Sequence, residues 1–208
     1  MRRRILSISI ILLMIFLYSI LGIAASGTAR VYYNSSLSVG TTSAINGMLS
    51  NIGYSASRSA NPTVSTLKSS LSSAKLVHVL SHGSAGSTVC SNGSLAQTDI
   101  GSTSNLKFAF METCNSGTVA ANGKSTVGTI KSNGATAVIG FDSAIVAGKD
   151  TSSDGCHYFA HVFYSGACNS GYTVTQAASS ALSQLYSRYG AYYGCQHYVV
   201  FGGNNRID

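Results

Sequence analysis

Two short apolar runs that stop abruptly constrain this chain more than anything else in it. The first is Lys75-Leu-Val-His-Val-Leu-Ser-His82-Gly83-Ser84, and the second is Leu106-Lys-Phe-Ala-Phe-Met-Glu112-Thr-Cys114-Asn-Ser116-Gly117. Runs of that length, closed by Gly and Ser, read as buried strands rather than helices. In an open α/β sheet, chemistry collects at the carboxyl ends of the strands. Here those ends carry a His followed by Gly, and a Cys followed by Asn-Ser-Gly. A thiol becomes a useful nucleophile when a base and oxyanion donors stand beside it. If the two strands are neighbours, His82 and Cys114 sit side by side, and the backbone N–H groups of Gly83 and Cys114 face one carbonyl oxygen.

Around these runs, strand-like and helix-like segments alternate. A strand is predicted over 30–34 and a helix over 43–52, where Ile45, Met48, Leu49 and Ile52 recur at spacings of three and four before Gly53 stops it. A short strand follows over 54–58. A second helix starts near Pro62, with Asn61 as its cap and Val64, Leu67 and Leu71 on one face. Asn92-Gly93 signals a hairpin turn. Residues 126–132 form a helix ended by Asn133-Gly134, residues 135–141 a buried strand finishing at Asp142, and residues 148–155 a polar loop. Two further helices, over 156–165 and 174–189, and a last strand over 196–201 complete the order. This alternation argues for one α/β domain, a mostly parallel central sheet with helices on both faces.

The motifs resemble those of the caspase-like clan of cysteine peptidases, and within it the legumain-type family. That family's pattern is an apolar strand ending in His-Gly-Ser, then one ending in Glu-x-Cys-x-Ser-Gly. This chain has His82-Gly83-Ser84 and Glu112-Thr113-Cys114-Asn115-Ser116-Gly117, and the resemblance spans roughly residues 30–145. It implies a three-layer caspase-like sandwich. It also implies a cysteine endopeptidase with Cys114 as nucleophile, His82 as general base, Gly83 in the oxyanion site and Asn34 orienting His82. Substrates would be proteins or peptides, and no cofactor is needed. The same acyl-enzyme serves a transpeptidase or ligase, and a non-catalytic extracellular interaction domain keeping the fold is the rival from another class. Glu112, two residues before Cys114, matches the Glu that lines the family's primary specificity pocket, and Asp142 at the next strand end is a second candidate wall. The family pocket also uses an Arg shortly after the first strand, whereas residues 35–53 here hold no Arg or Lys. A pocket with carboxylates and no basic partner favours a Lys or Arg side chain over Asn by charge complementarity.

His78, four residues before His82, lies about 13 Å away along an extended strand and is expected to pack in the sheet. A rival metal set gathers late in the chain: Cys156, His157, His161, Cys195 and His197. His157 and His161 share a helix face at i, i+4, but the spacing fits no zinc pattern, and no metal is expected.

The chain opens with Met-Arg-Arg-Arg and continues from Ile5 to Ala25 without a charged residue. Residues 1–27 therefore read as a signal peptide or, because 21 uncharged residues can also span a bilayer, a signal anchor, with the domain at 28–208 outside the cytoplasm or at the cell surface. The membrane enters only through that anchor. The formal charge of +7 includes Arg2, Arg3 and Arg4; without them 10 basic residues face 6 acidic ones, a net of +4 with no basic run, so nucleic acid is not an expected partner. The five cysteines, an odd number, suggest disulfides among Cys90, Cys156, Cys168 and Cys195 with Cys114 left as a reactive thiol. Asn34 and Asn92 each begin an Asn-x-Ser sequon.

Overall fold

The computed structural model describes residues 25–37, 40–146 and 155–208. The N-terminal apolar segment, apart from its last residue, and nearly all of the polar loop over 148–155 lie outside these. Among the described residues no helix is long and apolar enough to cross a membrane.

Six strands form the central sheet: β1 (Thr28–Tyr33), β2 (Ser55–Ala60), β3 (Leu76–Leu80), then β7 (Phe108–Glu112), β8 (Ala137–Phe141) and β9 (Tyr198–Phe201). Their spatial order is β2-β1-β3-β7-β8-β9. The first five run parallel and β9 is antiparallel to β8. A small antiparallel sheet of β4 (Gly83–Ser84), β5 (Ser87–Cys90) and β6 (Gly93–Ala96) stands directly after β3. The α-helices among the described residues are α1 (Gly40–Asn51), α2 (Val64–Ser73), α3 (Thr126–Ser132), α4 (Gly155–Asn169) and α5 (Val174–Tyr189).

Strand alternation sends successive side chains to opposite faces of the sheet, and two cores result. Leu76, Phe108, Phe110, Ile139 and Phe141 pack on one face with Ile45 and Leu49 of α1, Phe159 and Phe163 of α4 and Ala177, Ala181 and Leu185 of α5. Val77, Val79, Ala109, Met111 and Val138 pack on the other with Leu67 and Leu71 of α2, Val127 and Ile130 of α3 and Leu95 of the small sheet. The central strands β3, β7 and β8 are buried on both sides, which is why they read as continuous apolar runs. Ala25 is already part of the first core, and its N–H donates to Ile52 O at 2.8 Å.

The local signals explain the helix limits. α5 carries a full capping box of Thr173 and Gln176 and ends at Gly190 in the left-handed region, φ 66°. α2 is capped by Thr63, whose hydroxyl accepts from Thr66 N–H. The expected cap Asn61 instead sits at φ 48° and ties its side chain to Ser35. The hairpin turn falls one residue earlier than Asn92-Gly93: Cys90 pairs with Gly93, so Ser91-Asn92 make the two-residue loop. Asn92 Oδ1 is engaged by Val64 N–H at the start of α2, and Gly93, at φ 138°, opens the return strand.

Candidate active site

The loops that follow β1, β3, β7 and β8 meet over the carboxyl edge of the sheet. They enclose a cleft of about 300 Å³ lined by Leu37, Leu80, Ser81, His82, Glu112, Cys114, Ile145 and Val146. The order β1-β3 is where the chain reverses its direction of travel across the sheet, the place where α/β sheets open a crevice.

β3 and β7 are paired neighbours with Leu80 opposite Glu112, so the residues just beyond them arrive together. Ser81 N–H continues the ladder to Glu112 O at 3.2 Å. The small sheet then holds the β3 exit: Val89 N–H donates to His82 O at 3.0 Å and the Ser81 hydroxyl donates to Val89 O at 2.8 Å. Gly83 lies against the backbone beyond β7, where a Cβ at that position would come 2.9 Å from Cys114 O and 3.0 Å from Thr113 Cβ. Only a glycine lets the two strand ends approach so closely.

The Cys114 loop is built by its own motif. Asn115 takes the left-handed region at φ 56°, with its N–H donating to Ser143 O at 3.0 Å. The buried Ser116 hydroxyl approaches Met111 O (3.1 Å) and Thr113 O (3.0 Å) as donor and accepts from Phe141 N–H at 3.0 Å. Gly117 N–H donates to Phe141 O at 2.7 Å, and a Cβ on Gly117 would come 2.9 Å from Val199 Cγ2. The half-buried Cys114 thiol faces Ile145, accepting its N–H at 3.4 Å and lying 3.6 Å from its carbonyl oxygen.

Glu112 lines the cleft but is only 1% exposed, its side chain fully buried. His157 Nδ1 of α4 lies 3.0 Å from Oε1, and His78 Nε2 lies 3.3 Å from Oε2 in an alignment short of a well-formed hydrogen bond. Burial pushes the Glu112 carboxyl up, but hydrogen bonding and charge from His157 and His78 outweigh it, leaving the carboxyl below its ordinary range.

Not every expected site residue joins the cleft. Asp142 stands half exposed beside His197, Oδ1 to Nδ1 3.5 Å, and is not among the cleft's lining residues. Asn34 Oδ1 accepts from Ser36 N–H at 3.0 Å and from its hydroxyl at 2.8 Å, an Asx turn that engages the side chain expected to orient His82. The late metal set is dispersed: His157 turns to Glu112, His161 lines a separate groove between α4 and α5, and no group of three His, Cys, Asp or Glu able to hold a metal occurs among the described residues. All five cysteines are free thiols in this structure, so the expected disulfides are absent from it. Cys156 and Cys195 do lie near each other in the core. The Glu112–His157 contact had no signal in the sequence: the helix pattern gives the face of His157 but not the strand that α4 covers.

No family model matches this sequence, and no curated protein matches it. A search of solved structures finds the crystal structure of caspase-1 from Spodoptera frugiperda, with a TM-score of 0.53 and 12% identity over 91% of this chain and 92% of that one. At that identity the likeness concerns the backbone alone, and it extends over the whole sandwich rather than the two motifs: this chain has the caspase-like fold.

Proposed function

We propose that this protein is a cysteine endopeptidase acting through a Cys114 acyl-enzyme. The observation that carries the reading is the meeting of His82 and Cys114 as walls of one cleft at adjacent parallel strand ends, with Gly83 packed on the Cys114 backbone. His82 takes the thiol proton as Cys114 Sγ attacks the scissile carbonyl carbon. The N–H groups of Gly83 and Cys114 are the donors for the oxyanion. On collapse the C–N bond breaks, and the proton held by His82 goes to the leaving amine. Water, deprotonated by His82, then attacks the thioester, the C–S bond breaks, and the thiol is restored.

The cleft also supports a preference for Lys or Arg before the scissile bond. Glu112 is among its lining residues, with its carboxylate buried, and its walls include the apolar Leu37, Leu80, Ile145 and Val146, which suit the methylene stem of a long cation. The preference rests on Glu112, since Asp142 lies outside the lining. Export is part of the same reading, from the Arg2–Arg4 cluster and the uncharged run after it; fractionation of cells expressing the full chain tests it. A peptide library read by mass spectrometry, with Cys114→Ala as control, tests the activity. Cleavage after Lys or Arg that vanishes in the control is the expected result, and undiminished cleavage by the control would refute the role of Cys114.

A further inference from the structure

The two histidines bracketing Glu112 take no part in the acyl transfer, yet both are fully buried beside its cleft. They come from different layers of the fold, His78 from the middle of β3 and His157 from the first turn of α4. A buried carboxylate without donors protonates rather than staying ionised, because leaving water costs several kcal/mol. Here each oxygen faces an imidazole nitrogen, one at 3.0 Å and one at 3.3 Å. For these contacts to favour the carboxylate, His157 carries its proton on Nδ1 and His78 on Nε2. The two contacts are unequal. Oε1 is held firmly by His157, whereas Oε2, buried like the rest of the side chain, lacks a well-aligned partner and keeps acceptor capacity for a further donor.

We propose that His157 and His78 are the specificity-determining supports of this cleft: they keep the Glu112 carboxylate charged and fixed, with Oε2 left to receive a substrate ammonium or guanidinium. This deepens the endopeptidase reading and rests on it. The surroundings agree. His82 and Cys114 stand at the cleft mouth, Cys114 only partly buried, and Cys156 and Tyr164 lie near Glu112 in the core. Burial first, then neighbouring groups, push the Cys156 thiol and the Tyr164 hydroxyl well above their ordinary values, so both are neutral and the negative charge there is that of Glu112. His78 also packs against Phe110 and Tyr164, ring centroids 5.2 and 5.6 Å away, which fixes its ring plane.

Because these are positioning residues, the test needs a readout that loss of packing would not move. Peptidyl chloromethyl ketones alkylate a reactive thiol with loss of chloride, and the rate at Cys114 is followed by intact-protein mass spectrometry. Two matched reagents are compared on the full chain, one ending in lysine and one in norleucine, which has the same carbon stem without the charge. The wild type reacts faster with the lysyl reagent. In His157→Leu the lysyl-to-norleucyl ratio falls about tenfold, the cost of one lost hydrogen bond to a charge, through weaker binding, while the norleucyl rate holds. His157→Asn, whose amide nitrogen replaces Nδ1, keeps the ratio; His157→Gln, whose amide nitrogen replaces Nε2, lowers it. If the leucine variant fails to fold, the Asn and Gln pair decides alone, and an equal ratio in both overturns the proposal. His78→Gln, replacing Nε2, keeps the ratio and His78→Asn lowers it. A ratio unchanged in folded His157→Leu, with a drop in Glu112→Gln, overturns the role of the histidines and leaves the pocket reading standing. A wild type with no lysyl preference, or no drop in Glu112→Gln, removes the pocket reading itself and the inference with it.

Discussion

Cys114 differs from the other four thiols by where the backbone leaves it. Cys90, Cys156 and Cys195 are buried, and Cys168 is partly buried with its thiol pushed up to about 12 by burial and by Asp208. Cys114 alone among them lines the cleft with a histidine. Alkylation goes through the thiolate, so brief iodoacetamide treatment of the folded protein should label Cys114 first and Cys168 only slowly. Peptide mapping reads this, and equal labelling of Cys114 and Cys156 would contradict the packing. Gly83 makes the sharper point. A methyl group there meets Cys114 O at 2.9 Å and Ser87 O at 3.1 Å, both backbone atoms that cannot swing away. Overpacking of this kind costs about 1–3 kcal/mol. Gly83→Ala should therefore slow Cys114 labelling by a chloromethyl ketone by about tenfold or more while the sheet remains folded by circular dichroism. An unchanged labelling rate would show that the strand ends are not held as the structure has them.

The elements show what could be read in advance and what could not. The central strands, the end of α3 and the span of α5 were legible because each carries its own signal: apolar runs, Asn133-Gly134, and the stripe of Ala177, Ala178, Ala181, Leu182 and Leu185. The small sheet was not, beyond its turn, because β4 to β6 are mostly Ser, Thr and Gly with little alternation to betray a strand. Their pairing is set by the β3 exit they clamp. His82 and Cys114 were legible from two strand ends. The partners of Glu112 were half so: His78 was placed in the sheet by its spacing, whereas His157 looked like part of a metal face, since only tertiary packing lays α4 over β7. Asp142 misled because a strand end nearby in sequence turned toward His197 rather than the cleft. At this scale Ser116 is the joint between β7 and β8, its hydroxyl serving Met111, Thr113 and Phe141. Ser116→Ala leaves Phe141 N–H buried without that acceptor, and should cost about 1–3 kcal/mol in urea unfolding. A change under about 0.5 kcal/mol, the range of neutral surface substitutions, would contradict it.

Across the whole molecule, Glu112 is where the sheet and the α4 layer are joined by charge instead of apolar packing. The residues around it on that face, Phe108, Phe110, Phe141, Phe159 and Phe163, give the core its cohesion, and the His78–Glu112–His157 row interrupts them with groups that are stable there only while the carboxylate is ionised and met by donors. The pH dependence follows in sign. The Glu112 carboxyl is lowered in the folded protein from an ordinary value of 4.5, and it regains that value on unfolding. A group lowered on folding adds stability that is present above its unfolded value and is lost as pH falls through the folded one. Urea midpoints measured from pH 7 down to pH 3 should thus fall below about pH 4.5 more steeply in the wild type than in Glu112→Gln, which has no proton to gain there. At pH 7 the variant should be the less stable of the two, because its amide cannot accept from both imidazoles at once, and the gap should close as the wild-type carboxylate is protonated. Parallel curves over the whole range would mean that the carboxylate titrates as it does in the unfolded chain, and that the two histidines do not hold its charge.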